Sequence, residues 1–415
     1  MQRYTGDELL WLAETLIVDN DFESAKPILD ALSESATRSV DQTQVTFLQA
    51  VIHAAEGELI EARDLFRKIL ADNPELSRVR LELAQTLYAL EDDEAARHHF
   101  NAVLADDPSM AVRRNIERFL QSMQKRKALQ VRAALSLVPD SNVNNATTDD
   151  TVQLFGFLPA DLSDDARRRS GLGMRSSLNV VWLPKIAENW RAELSGGGAF
   201  TDYENTTFDD VLTHADIGLR RIQSHGYTSV AGAFGHRWFG GASFYQSYGG
   251  RLFKTRRLSS RLSASGYISA SYFDYKRDDG RDGPVLSSSI NLLRALSSTS
   301  YAGARLSLTR EFAKEEAFRS TDYSLQLSGI REFGGGLTVE LTPSIGRRPF
   351  EGVNPLFAKR RKDIRAGVSI AATKRDWSYR GWAPVFSYGY TRNFSNINIY
   401  DFSRHRGELK FTRTF

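Results

Sequence analysis

Histidines, acidic runs and glycine runs are the residues here whose types could do chemistry, and their spacing decides what kind. His98 and His99 are adjacent. On a helix neighbouring side chains point apart, so the pair does not share one metal ion and is expected to be solvated. His214 and His236 stand alone on strand-like segments, with no cysteine in the chain, so a zinc site is not supported. Asp278-Asp279-Gly280-Arg281-Asp282 has calcium-loop composition but neither the ligand spacing nor the closing glutamate, and reads as a charged loop. Gly196-Gly197-Gly198 and Gly334-Gly335-Gly336 fall in a strand and a turn rather than in a phosphate-binding loop. Serine, histidine and aspartate occur without a spacing that would assemble them. No catalytic residue, metal ligand or cofactor is therefore expected, and the chemistry to look for is binding and passage.

The elements behind those residues fall into two halves. Residues 1–128 hold 15 Lys+Arg against 23 Asp+Glu, a net charge of −8. The remaining 287 hold 39 against 28, a net of +11. Of 30 glycines only Gly6 and Gly57 precede the split, and 37 of the 45 aromatics follow it. Such a break implies two regions facing different solvents. No run approaches the roughly 18–20 apolar residues of a membrane helix. Without cysteine there is neither a disulfide framework nor a lipidated cysteine. Met1-Gln2-Arg3-Tyr4 has no secretion-signal pattern, so a secreted chain would have lost its signal by this point.

The first half repeats. Ala50 and Ala84, Ala62 and Ala96, Phe66 and Phe100, Leu70 and Leu104, and Pro74 and Pro108 are each 34 apart. Small residues let two antiparallel helices approach, and proline ends the second helix. The pattern resembles the tetratricopeptide repeat. A looser first copy carries Ala13, Ala25 and Leu29, its extra length falling around Ser33–Asp41. Met110–Lys127 is an amphipathic helix that would cap the stack. A concave groove between repeats would display Gln44, Phe47, Val51, Arg78, Leu81, Gln85 and Tyr88, suited to a peptide or protein. The competing reading makes several of these interhelical core.

From residue 129 the apolar period changes from 3.6 to 2. Fourteen segments of about ten residues follow, the length a tilted strand needs to cross a bilayer. One face is apolar. The other carries Arg175, Arg191, Glu193, Asp216, Arg261, Arg305, Glu340, Asp363, Arg365, Arg406, Glu408 and Lys410, the expected lumen. Odd-numbered connections are mostly long, among them Pro139–Ser170 and Arg347–Arg361, and even-numbered ones short. That alternation is the pattern of bacterial barrels, and an even count returns the C-terminus to the periplasm. Trp182, Trp190, Trp238, Tyr272, Trp382 and Tyr390 fit interfacial girdles. The expectation is an all-α tetratricopeptide-like solenoid over 1–128, periplasmic, followed by an all-β 14-stranded antiparallel transmembrane barrel over 129–415 in the bacterial outer membrane. Lys125-Arg126-Lys127, just before the barrel, reads as a solvated hinge.

The last strand, with Gly407, Leu409, Phe411 and terminal Phe415 in phase, resembles the signal read by the barrel-assembly machinery, although Arg413 departs from it. Repeats joined to fourteen strands, with Leu135-Ser136-Leu137-Val138-Pro139-Asp140-Ser141-Asn142-Val143-Asn144 opening the barrel, resemble the surface lipoprotein assembly modulator (Slam) family. The resemblance implies a protein-secretion channel whose clients are surface lipoproteins or soluble haem- and iron-scavenging proteins. It also implies dealings with the barrel-assembly machinery, periplasmic chaperones and outer-membrane lipid, and none with nucleic acid. The rival readings are a polysaccharide-export porin with a periplasmic repeat domain and a nutrient porin or receptor.

Overall fold

The 34-residue period becomes pairs of antiparallel helices in the computed structural model, which describes residues 4–34, 40–126, 128–374, 377 and 383–414. The side chains of Lys125-Arg126-Lys127, Trp382, Arg413 and Phe415 lie outside the described residues. The chain divides into two compact units, one built on the helices and one on the barrel. The helices are α1 (Gly6–Val18), α2 (Phe22–Glu34), α3 (Gln42–Glu56), α4 (Leu59–Asp72), α5 (Ser77–Ala89), α6 (Asp93–Ala105) and α7 (Met110–Arg126).

Local signals explain their ends. Thr5 and Glu8 form a reciprocal capping box on α1. Asp41 caps α3 at Thr43 N, and Gly57 ends it with φ at 87° in the left-handed region, where a side chain is strained. The repeat positions form the core: Ala50, Ala62, Ala84, Ala96, Phe66 and Phe100 are all withdrawn from solvent. Ile116, Leu120 and Met123 of α7 complete that core, as the capping role requires. Ala13, Ala25 and Leu29 pack with Val45 and Ile52 into an earlier core.

Fourteen strands form the barrel wall: β1 (Leu129–Asp140), β2 (Gly171–Trp182), β3 (Trp190–Tyr203), β4 (Asp210–Gln223), β5 (Gly226–Phe239), β6 (Ala242–Arg257), β7 (Leu262–Tyr275), β8 (Gly283–Ala295), β9 (Ser300–Glu311), β10 (Ser320–Phe333), β11 (Leu337–Asn354), β12 (Lys359–Lys374), β13 (Ala383–Ser395) and β14 (Phe402–Thr414). Each pairs with its chain neighbours and β14 pairs antiparallel with β1, closing the wall. That seam skips Val138 and Pro139, since proline offers no N–H to a ladder.

Paired residues share a face, so the register assigns every side chain. Leu137, Leu409 and Met174 lie on the apolar face, as do Leu194, Ile217 and Val230. Ser136, Lys410 and Arg175 lie on the other, together with Arg251 and Ala231. The apolar face is the outer one, with Ile217 68% and Ile290 61% exposed. Oily residues on the outside of a closed wall match a hydrocarbon solvent.

Three segments differ from the sequence reading. The first long connection contains a two-stranded hairpin, Thr151–Leu154 with Leu158–Asp161, where a plain loop was expected. Its Val152 packs with Phe357 and Ile397, from two other loops at the same end of the barrel. Arg347–Arg361 is mostly strand, because β11 runs to Asn354 and β12 starts at Lys359. Phe350 is buried there under the Arg361 guanidinium, 4.7 Å from its ring. His99 is buried rather than solvated, as α6 turns it toward Arg80 of α5.

Candidate functional site

In the helical unit, α3 carries Gln44, Phe47 and Val51, and α5 carries Arg78, Leu81, Gln85 and Tyr88. All are half-buried except Arg78, which is exposed. Gln44 Nε2 donates to Glu14 Oε1 of α1 at 2.6 Å. The Arg78 guanidinium lies 5.9 Å from the Phe47 ring, while its Nε donates to Glu82 Oε1 at 3.1 Å. Tyr88 meets Phe119 of α7 edge-on at 4.9 Å. The first helices and α7 thus present one mixed surface, with carboxylates, amides and a cation around aromatic edges. Phe47, Val51, Leu81 and Tyr88 also pack on the core, as the competing reading of interhelical core expects. Glu14 and Glu82 were missed because neither stands at a repeat signature position.

The barrel's inner face is charged and self-paired. Glu193 Oε2 accepts from Arg220 Nε at 3.0 Å and Ser229 Oγ at 2.6 Å. Its Oε1 accepts from Arg251 Nη2 at 3.0 Å, and that nitrogen also reaches Asp216 Oδ2 at 3.2 Å. Ser195 Oγ donates to Asp216 Oδ2 at 2.7 Å. Strands β3 to β6 each give one or more members, because alternation directs every second side chain inward. Arg220 sits 4.3 Å from the Tyr227 ring. A buried carboxylate between two guanidiniums meets the requirement that buried charge be paired and hydrogen-bonded.

Arg175, Arg305, Glu340, Arg365 and Arg406 fall on the same inner face. Arg305 and Arg365 are exposed there, and Arg365 lies 3.9 Å from Asp322. Arg191 turns back to its own turn, with Nη1 donating to the Trp190 and Ala187 carbonyls. Arg261 stands in the turn between β6 and β7, not in a strand. Gly407, Leu409 and Phe411 line the outer face of β14, and Phe415 lies outside the described residues.

Toward the long-loop end the inner face carries a belt that the sequence reading missed. Arg237 binds Asp210 through two nitrogens at 2.8 and 3.0 Å. Arg348 Nη2 donates to Glu311 Oε2 at 2.7 Å. Arg361 pairs with Asp363 at 2.7 Å, and Arg404 chelates Asp140. Arg237 and Arg348 each lie over the phenylalanine two residues on, Phe239 at 5.3 Å and Phe350 at 5.0 Å. Residues i and i+2 share a strand face, so the Arg-x-Phe spacing was the readable signal. Beside the belt, Asp282 accepts from Lys314 Nζ at 2.8 Å, tying two loops. That hydrogen bond holds the Asp282 carboxyl below its usual range.

The family model described as "Surface lipoprotein assembly modifier" matches residues 130–415. A second, described as its N-terminal TPR repeats, matches residues 15–100. A surface lipoprotein assembly modifier of Neisseria meningitidis serogroup B is 22% identical over 409 residues, covering 96% of this chain and 81% of its own. One from Pasteurella multocida is 22% identical over 405 residues, covering 92% and 78%. The "Hemophilin secretion modulator" of Acinetobacter baumannii is 19% identical over 398 residues, covering 90% and 79%. Among solved structures, the P. putida toluene transporter TodX aligns with TM-score 0.40 and 10% identity, covering 71% of this chain and 92% of its own. A bacterial polysaccharide outer membrane secretin aligns with TM-score 0.37 and 12% identity, covering 68% and 97%. With both units matched in order, this chain belongs to the surface lipoprotein assembly modifier family.

Proposed function

We propose that this protein is an outer-membrane translocon that exports client proteins, either surface lipoproteins or soluble haem- and iron-scavenging proteins, from the periplasm to the surface or medium. The observation that carries the reading is the pairing of a repeat unit and a charged-lumen barrel with whole-chain relatives named for lipoprotein assembly and hemophilin secretion. The repeat unit stands in the periplasm and takes the client on the surface around Gln44, Phe47, Arg78 and Tyr88. The client then passes along the inner face, where Arg175, Arg305 and Arg406 offer single cations between paired charges and Arg365 stands exposed beside Asp322. An inner face that mixes both charges with a basic excess suits a polypeptide of varied sequence better than one small solute. The C-terminal strand, through Gly407, Leu409, Phe411 and Phe415, is read by the barrel-assembly machinery, and periplasmic chaperones deliver the chain.

The test is co-expression with the proteins encoded beside it, with and without the barrel. Client on the surface or in the medium only with the intact barrel supports the reading. Unchanged export of every candidate, together with loss of exopolysaccharide, would sink it.

A further inference from the structure

The barrel's outer wall carries cations that hydrocarbon does not tolerate cheaply. Lys254 and Arg256 alternate along β6 with the inward Arg251, Phe253 and Thr255, so they point outward, and both are exposed. Arg221 of β4 is exposed on the same outer face. Thr228 pairs with both Arg221 and Lys254. Those two cations therefore stand at one level, two strands or about 10 Å apart, and Arg256 is about 7 Å further along its strand. Arg221 lies 5.8 Å from the ring of Trp190, whose 40% exposure on the outer face fits an interfacial anchor. Among the described residues the side chain of neither Lys254 nor Arg256 makes a hydrogen bond or ion pair to protein. A lipid-facing lysine or arginine costs about 2–4 kcal/mol at the midplane and little near the interface, so the level set by Trp190 is one where clustered bases are tolerated and meet lipid phosphates.

Beside Lys254 the wall is concave. A groove of about 810 Å³ runs over the outer face of β6 to β12, lined by Leu252, Ile268, Ile290, Leu306, Tyr323 and Ile345. Its volume falls in the range of about 300–1,000 Å³ that small ligands occupy. Gly266 helps form the floor, pairing with Lys254 on one side and Ile290 on the other. A Cβ added there would meet no atom within 4 Å. Arg347 stands at the groove's other end, a single exposed cation.

We infer that this wall holds an anionic diacyl phospholipid, its phosphate among Lys254, Arg256 and Arg221 and its acyl chains along the groove. Clustered bases beside an apolar channel are the chemistry that selects an anionic headgroup over a zwitterionic one. The inference rests on the reading that the barrel spans a membrane.

Native mass spectrometry of the full chain, released from micelles containing equal phosphatidylglycerol and phosphatidylethanolamine, tests it. Heat-modifiable electrophoretic migration reports barrel integrity separately. The wild type is expected to retain phosphatidylglycerol preferentially. The double variant Lys254→Gln, Arg256→Gln should lose about 30-fold in that retention while staying heat-modifiable. Gly266→Leu, which fills open space, should lower retention of both lipids. Equal retention of the two lipids by wild type, or an unaffected double variant, overturns the site. So does loss of retention on Arg347→Gln alone, which would put the phosphate at the other end. Displacement by an uncharged diacylated lipopeptide but not by added phosphatidylglycerol would give the groove to a lipidated protein instead. A wild type with no heat-modifiable form would overturn the membrane reading itself.

Discussion

The helical unit withdraws Phe66 and Phe100 fully from solvent, whereas the barrel withdraws Glu193 and Asp363 to 2% exposure and leaves Ile217 68% exposed. The same hydrophobic rule produces both, because the two units meet different surroundings. Water around the helices drives apolar side chains inward. A wall with hydrocarbon outside reverses the assignment, and charges that turn inward must then satisfy one another. Residue type alone therefore says little here; the period of the pattern and the face it selects say most.

The largest way to break this contrast is Phe100→Ala, which empties the core shared by α3 to α7. About 3–5 kcal/mol of destabilisation is expected, read as loss of the helical unit's protection from protease while the barrel stays heat-modifiable. Ile217→Arg strikes the other unit, near the middle of β4. It should cost the barrel about 2–4 kcal/mol, seen as reduced assembly in urea extraction, with the helices untouched. Equal sensitivity of both units to either change would erase the distinction.

Inside the wall, Glu193→Gln removes the charge that Arg220 and Arg251 share. Arg251 keeps Asp216 and Arg220 keeps the Tyr227 ring. The expected loss is therefore only about 1–3 kcal/mol, measurable as a lower temperature for the heat-modifiable transition. A smaller effect concerns the loops. Because Lys314 lowers the Asp282 carboxyl below the ordinary aspartate value of 3.8, the tie contributes fully above that pH. It is lost as pH falls through the lower folded value. Pepsin nicking of the loops holding Asp282 and Lys314 should rise at the acid end, and Asp282→Asn should show the same nicking without that pH step. Smallest of all for the barrel is the triple change of Arg78, Gln85 and Tyr88 to alanine, which should leave barrel assembly intact and weaken client capture. Normal export from it would remove the helical surface from the account.

Much of this was legible in the sequence because it is periodic. Equal offsets such as Phe66 to Phe100 mark helix pairs, and alternation such as Leu135, Leu137 against Ser136 marks wall strands. What was not legible depends on contacts distant in sequence. Val152, Phe357 and Ile397 come from three separate loops, and no local pattern in Thr151–Asp161 announces their shared core. The strands continuing past Arg347 likewise rest on Phe350 packing under Arg361. The burial of His99 needs α5 against α6, which a run of two histidines does not reveal. The inner-face belt was available as Arg-x-Phe spacing but invisible to a search for catalytic or metal clusters.

The central claim is that a protein passes along the inner face. Photo-crosslinking residues placed singly at Arg175, Arg305 and Arg365, and at outer-face Ile217 and Ile290, test it in cells exporting a tagged client. The account predicts client adducts at the three inner positions and none at the outer two. Adducts at the outer positions alone, or none at the inner ones while export continues, would contradict it.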